Sequence, residues 1–149
     1  MKPLILLIVV FTAYAGISRL TTGNWNLQFA GNLAMLIMLC FTALGHILFA
    51  KGMSLMIPPF LPFKKALVYL TGLAEVILGL ALLSPSTRPY AGYGLIVFFI
   101  LIVPANIYAA IHHLDIEKGT NTGPGPGYLW FRIPMQLFLI GWVYYFAIR

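Results

Sequence analysis

Charged residues are scarce in this chain, and acidic residues are the scarcest of them. The 149 residues include three Asp and Glu against nine Lys and Arg, and charged residues make up 8% of the total. Hydrophobic residues make up 61%. Because a soluble domain carries about 25% charged residues, this composition excludes an ordinary soluble domain and predicts an integral membrane protein.

The chain also lacks the residues on which most soluble redox and nucleotide chemistry depends. Cys40 is the single cysteine, so neither an intramolecular disulfide nor a dithiol relay can form. The sequence contains no phosphate loop, dinucleotide fingerprint, nucleophile elbow or zinc-protease helix. No ligand spacing typical of a metal site is present either, and we predict none. Any redox chemistry would therefore need a bound cofactor.

Five apolar segments are near the length that crosses a bilayer as a helix. They are residues 4–18, 29–50, 66–84, 90–112 and 129–148. The predicted fold is an all-α polytopic transmembrane bundle of five spans, in one domain over residues 1–149.

The segment 4–18 is the shortest and has two interpretations. Lys2 precedes an apolar stretch, and Ala13-Tyr14-Ala15 has the small-x-small form of a signal-peptide cleavage site. The residues before the apolar stretch are weakly basic, however, and we interpret the segment as a retained helix.

The basic residues are scattered singly at the ends of the apolar segments. This arrangement is typical of membrane topology, and we predict no nucleic-acid partner. With five spans, one side of the membrane carries Lys2, Lys51, Lys64, Lys65, Lys118 and Arg132, and the other carries Arg19, Arg88 and Arg149. Since Lys and Arg favour cytoplasmic loops, the predicted amino terminus is cytoplasmic.

Glu75 is the most informative residue, because it lies near the middle of the third segment. A carboxylate at that depth costs about 2.5 to 3.5 kcal/mol on insertion scales, so it normally faces a partner, water or a proton. Val68, Gly72, Glu75 and Gly79 share one helical face. The two glycines would let a second helix or a flat ligand approach the carboxylate closely.

Several other polar side chains fall near the same ends of their segments as Lys51. These residues are His46, Asn106, Arg132 and Gln136. They predict a one-sided polar cavity with Glu75 at its floor, about 14 Å into the third span. We predict Glu75 and His46 as catalytic proton carriers, since imidazole titrates near neutral pH. The predicted ligand-binding residues are Arg132, Gln136, Asn106, Lys51, Gly72 and Gly79.

Each of these residues also has a structural interpretation. Glu75 could pair with Arg132 or His46 simply to hold helices together. Arg132 could anchor the chain at the interface, and the two glycines could serve packing alone. Pro104 breaks the helical ladder, and the freed carbonyls could accept from Asn106 or water. The segment 51–65 contains three prolines that forbid a regular helix, and we predict that it covers the cavity as a lid.

Short stretches of the chain resemble the DoxX family of small bacterial membrane proteins. The matching runs are 45–53 (GHILFAKGM), 72–80 (GLAEVILGL), Arg88 with Ala91 and Gly92, 104–107 (PANI) and 130–136 (WFRIPMQ). The resemblance implies a four-helix core that corresponds to spans two to five, with 4–18 as an added amino-terminal helix. It also implies residence in the bacterial cytoplasmic membrane.

The namesake proteins of that family are associated with a thiosulfate:quinone oxidoreductase, and other members with membrane redox complexes. This implies a membrane subunit that binds a quinone or another lipophilic small molecule and receives electrons from a membrane or soluble redox partner. One alternative is a non-enzymatic scaffold or assembly factor for another membrane protein. A third is a small-solute or proton transporter, although no inverted repeat is present.

Overall fold

The computed structural model describes residues 2–149, and every regular element in that range is helical. In chain order the helices are α1 (Lys2–Thr22), α2 (Leu27–Leu48), α3 (Ala50–Leu55), α4 (Lys64–Ala81), α5 (Arg88–Leu101), α6 (Val103–Ile111) and α7 (Leu129–Val143). A 3₁₀ turn, Pro126–Tyr128, precedes α7, and a π-helical turn, Tyr144–Ile148, continues it. The predicted all-α class is confirmed.

Four helices are long and apolar enough to cross a membrane. They are Lys2–Thr22, Leu27–Leu48, Arg88–Ile111 and Pro126–Ile148, of 21, 22, 24 and 23 residues. The predicted span 66–84 forms α4, but it is not among these four. Three of the 18 residues of α4 are charged, namely Lys64, Lys65 and Glu75, and this lowers its overall apolarity.

The first span is longer than the hydropathy pattern predicts. Helix α1 continues past Ser18 to Thr22 because its polar residues bond within the helix. Thr21 donates to the carbonyl of Ile17 at 2.9 Å, and Thr22 donates to that of Ser18 at 2.7 Å. Leu7 of α1 is fully buried in the core, so α1 packs as part of the bundle.

The segment after α2 is more helical than predicted. Residues Ala50–Leu55 form α3, because the three prolines all lie after that helix, at positions 58, 59 and 62. The chain then turns without regular structure until Phe63, which adopts a left-handed conformation with φ of 54° directly before α4. The prediction of an irregular segment is therefore wrong for its first residues.

The bundle is tightly packed at one end and open at the other. Helix α2 lies between α1 and α4, and α4 runs antiparallel to it, since Gly72 faces His46 while Gly79 faces Leu36. The packed end is centred on Met35, Met38, Leu39, Leu82, Leu95 and Val143. There the side-chain amide of Asn32 donates to the carbonyl of Phe146 at 2.9 Å and so joins α2 to the π-helical turn.

The predicted fourth span is broken near Pro104. Helix α5 ends at Leu101, and α6 begins at Val103 with Pro104 in its first turn. Proline has no amide hydrogen and its ring crowds the preceding turn, so the backbone ladder is interrupted here. The break lies beside the open end of the bundle.

Candidate functional site

A cavity of about 270 Å³ occupies the open end of the bundle. Its floor is the apolar core, through Met38, Leu39, Phe99 and Leu139. Residues of α3 and the chain that follows it line another wall. The polar side chains that line the cavity are Thr42, His46, Thr71, Glu75, Asn106, Arg132 and Gln136.

Glu75 lies at one wall of this cavity, with only 5% of its surface exposed. Thr42 of α2 donates a hydrogen bond to its Oε2 atom at 2.8 Å. The Nε2 atom of His46 lies 3.6 Å from its Oε1 atom. Both carboxylate oxygens therefore face α2. Among residues 2–149, the titratable side chain that contacts Glu75 is that of His46.

The tautomer of His46 follows from its second contact. Its Nδ1 atom lies 2.7 Å from the carbonyl oxygen of Val68. Because a carbonyl can only accept, Nδ1 must carry a hydrogen and donate it. The Thr71 hydroxyl bonds to carbonyls of α4 and lies 3.2 Å from the same nitrogen, so its oxygen accepts there. The ring is thus held with Nε2 pointing at Glu75.

This orientation brings Nε2 of His46 and the carboxyl group of Glu75 together as a pair. With Nδ1 protonated, a neutral ring presents a lone pair at Nε2, and an ionised carboxylate presents lone pairs at Oε1. These two would repel each other unless a proton lies on one of them. At 3.6 Å the two atoms are at an ion-pair distance and beyond a direct hydrogen bond.

Helical spacing explains how four residues meet here. Thr42 and His46 are four residues apart on α2, and Thr71 and Glu75 are four apart on α4, so each pair shares a face. The predicted stripe of Val68, Gly72, Glu75 and Gly79 is confirmed, since these four are the buried residues of α4. Our sequence reasoning missed Thr42 and Thr71, although the same spacing from His46 and Glu75 could have identified them.

Asn106 and Gln136 form a second polar pair in the same cavity. The Asn106 amide donates to Oε1 of Gln136 at 3.1 Å, and the Gln136 amide donates to the carbonyl of Phe99. Gln136, rather than Asn106, therefore bonds the backbone near the Pro104 break. No donor among residues 2–149 bonds to Asn106 Oδ1, which could accept from a ligand.

Arg132 differs from the other cavity residues because it carries an unneutralised charge. Its guanidinium lies 5.8 Å from the ring centre of Tyr128, which is a cation–π distance. Across residues 2–149 it forms no ion pair with a carboxylate. A pairing of Arg132 with Glu75 is thus absent, and the guanidinium can donate to a ligand.

Three predicted ligand-binding residues lie outside this cavity. Lys51 is exposed on α3 and does not line this cavity. Gly72 and Gly79 lie at the contact between α4 and α2, where an added Cβ would come within 2.9 Å of His46 Cβ and 3.0 Å of Leu36 Cδ1 respectively. The structure therefore places both glycines in helix packing.

Within the described part of the chain, no three His, Cys, Asp or Glu side chains are grouped so that they could hold a metal ion. Cavity residues could hold an organic molecule instead. Donors are available from Arg132 and from the proton of the His46–Glu75 pair, and acceptors from Asn106 and Glu75.

Comparison with known proteins identifies one matching family, described as a domain of unknown function, DUF8561, over residues 33–147. This match includes every lining residue of the cavity except Pro3 and Leu4. No curated protein and no solved structure matches the chain. The chain belongs to the DUF8561 family.

Proposed function

We propose that this protein is a multi-pass protein of the bacterial cytoplasmic membrane with five spans and a cytoplasmic amino terminus. The additional span is α4, whose 18 residues extend about 27 Å along the helix axis. Its outward face is apolar, with Leu70, Leu73, Ile77 and Leu80 each more than half exposed. Of its charged residues, Lys64 and Lys65 lie at its start and Glu75 points inward. This arrangement supports a lipid-facing helix.

The proposed activity is binding of a lipophilic molecule with a polar head group, of which a quinone is the best candidate. The observation that carries this proposal is the cavity itself, in which the His46–Glu75 pair, an amide pair and a guanidinium with no ion-pair partner among residues 2–149 line an otherwise apolar space. Ligand sites typically combine apolar walls with a few polar groups that fix orientation. The DoxX resemblance agrees with a subunit of a membrane redox system.

In this proposal the residues divide into three roles. His46 and Glu75 pass a proton between Nε2 or Oε1 and a quinone oxygen, as acid–base groups within reach of a ligand do. Arg132, Gln136 and Asn106 orient the head group through hydrogen bonds. Thr42 and Thr71 are positioning residues, because they hold the carboxylate and the imidazole at their mutual angle.

Reduction of a quinone to a quinol takes up two electrons and two protons. The His46–Glu75 pair holds one exchangeable proton, so it must be reloaded between the two transfers. The electrons come from a membrane or soluble redox partner. The chain's own contribution is to bind the ligand, exclude water and move protons.

The test is mass spectrometry of organic extracts from the protein purified in mild detergent, with the wild type compared with Glu75→Gln, His46→Ala and Glu117→Gln. Glu117 is the only other glutamate and is an exposed residue that does not line the cavity of the His46–Glu75 pair. We expect near-stoichiometric quinone in the wild type and Glu117→Gln, and its loss from His46→Ala. Glu75→Gln should abolish ligand-linked proton uptake and leave the thermal unfolding temperature within a few degrees.

Other outcomes would favour the alternative functions. An empty protein that copurifies with one membrane protein would favour the scaffold, with Glu75 as a structural residue. Proton or solute flux in vesicles without bound quinone would favour the transporter. Unfolding of Glu75→Gln with no quinone in the wild type would contradict the proposed activity.

A further inference from the structure

A second cavity, of about 640 Å³, adjoins the one described above. We call the first the inner cavity and the second the outer cavity. Their walls share six residues, namely Pro3, Thr42, Met53, Asn106, Ile116 and Arg132. The two cavities therefore adjoin each other at this set of side chains.

The outer cavity reaches the side of the bundle that faces lipid in the proposed topology. Phe41, Leu44 and Leu48 of α2 line it and are 41%, 49% and 64% exposed. Residues of one helix face at this spacing form a continuous apolar stripe. The outer cavity therefore has an apolar wall that continues into the outward surface of α2.

Most charges at the rim of the outer cavity are neutralised locally. Lys2 lies 3.5 Å from Glu117, and Asp115 lies 3.8 Å from Lys118. Arg132, at the junction with the inner cavity, has no such partner among residues 2–149. The polar recognition groups are thus concentrated at the junction and inward of it.

The sizes of the two cavities indicate how a ligand would be divided between them. At about 270 Å³, the inner cavity is smaller than the roughly 300 to 1,000 Å³ of sites for drug-sized molecules. It has room for a head group, and a longer molecule must extend beyond it. The six shared residues border the larger, mainly apolar outer cavity as well, so that cavity is the adjoining space.

We propose that the outer cavity is a binding subsite for the hydrocarbon tail of the ligand. The ligand is then a long-chain, membrane-dissolved amphiphile, such as a prenylated quinone, that enters sideways from the bilayer past Phe41, Leu44 and Leu48. At the junction, Arg132 and Asn106 contact the head group, while Met53 and Ile116 contact the first unit of the tail. This inference rests on the proposed function and specifies the class of ligand.

Gly45 offers a way to fill the outer cavity alone. It lines the outer cavity and not the inner one, and an added Cβ would lie 3.6 Å from Met53 Cε and 3.9 Å from Phe49 Cδ2, which is ordinary contact. Gly45→Leu should therefore fold and occupy the tail subsite. Gly141→Leu is the matched control, since an added Cβ there meets nothing within 4 Å.

The experiment measures the Kd of two probes in the same detergent. One is a methoxy-methyl benzoquinone without a side chain, which is called the bare ring. The other is the same ring with a side chain of two isoprene units, which is called the prenylated probe. For Gly45→Leu we expect a Kd for the prenylated probe raised about tenfold and an unchanged Kd for the bare ring. Gly141→Leu should bind both probes as the wild type does. Leu48→Trp, at an exposed position of the same wall, repeats the test if Gly45→Leu unfolds.

The results separate this inference from the proposed function. If the wild type binds neither probe, the proposed function is wrong and the tail subsite falls with it. If the wild type binds both probes and the variants weaken both equally, or weaken neither, the quinone site stands and the tail subsite is overturned.

Discussion

At the scale of single residues, Thr42 determines how firmly Glu75 is held. Its hydroxyl donates the bond of 2.8 Å to Oε2, in a site where the carboxylate is almost fully buried. Thr42→Val keeps the shape of the side chain and removes the donor. We expect a loss of about 1 to 2 kcal/mol in the free energy of unfolding, because a buried acceptor loses a partner.

Denaturant titration in detergent, followed by tryptophan fluorescence, measures this loss. Thr21→Val is the control, since the Thr21 hydroxyl bonds only to carbonyls of its own helix at an exposed position. Equal stability of Thr42→Val and Thr21→Val would contradict the assigned role of Thr42. A drop in quinone-linked proton uptake in Thr42→Val alone would link the hydroxyl to the proton carrier as well as to stability.

At the scale of helices, α2 and α4 approach closely at two glycines that differ in what they face. A Cβ at Gly72 would lie 2.9 Å from the Cβ of His46, an atom fixed to the backbone of α2. A Cβ at Gly79 would lie 3.0 Å from Leu36 Cδ1, the end of a flexible side chain. We expect Gly72→Ala to destabilise the protein by about 1 to 3 kcal/mol, as overpacking does, and Gly79→Ala to cost less.

Thermal unfolding of the two variants, measured side by side, tests this difference. Gly72→Ala should also weaken quinone binding, because the displaced His46 can no longer face Glu75 at the same distance. Gly79→Ala serves as its matched control. A larger destabilisation by Gly79→Ala than by Gly72→Ala would show that the interface is looser near His46 than its contacts indicate.

Helix periodicity predicted the buried face of α4 correctly, whereas polarity along the sequence predicted the end of α1 less well. The stripe on α4 follows from 3.6 residues per turn, so the sequence alone placed Gly72, Glu75 and Gly79 on the buried face. The end of α1 was predicted too early, because threonines that bond to their own helix read as polar in a hydropathy pattern. Helix α4 is less apolar in composition than its outward face, because its three charged residues lie at its start or point inward.

At the scale of the whole molecule, the basic residues divide between the two ends of the bundle. Lys51 and Lys118 lie at the end that holds the cavities, and Arg88 lies at the packed end. With five spans, these ends face opposite sides of the membrane. We expect a cysteine at Ser86 to react with an impermeant maleimide from outside intact spheroplasts, and a cysteine at Lys118 to react only after permeabilisation.

The labelling is carried out in a Cys40→Ser background, since Cys40 is exposed. A further cysteine at Phe60, which is exposed in the loop before α4, decides the number of spans, because a crossing by α4 places it on the side opposite to Ser86. Labelling of positions 60 and 86 from the same side would contradict five crossings. Labelling of positions 60 and 118 from outside, with 86 protected, would reverse the proposed orientation.

The sequence by itself determined the class of the protein, the places where the long helices occur and the face of α4 that is buried. These properties depend on composition and on the local helical period, so neighbouring residues suffice to specify them. It also indicated which end of the bundle carries the polar side chains, because depth along a span is counted in residues.

Only the tertiary structure decided which of those side chains meet. Glu75 faces His46 and Thr42 rather than Arg132, and Gln136 bonds the carbonyl of Phe99 while Asn106 bonds Gln136. Lys51 lies outside the cavity that its position along the chain suggested. The order and rotation of helices in a bundle are set by long-range packing, and the spacing of residues within one helix carries no information about its neighbours.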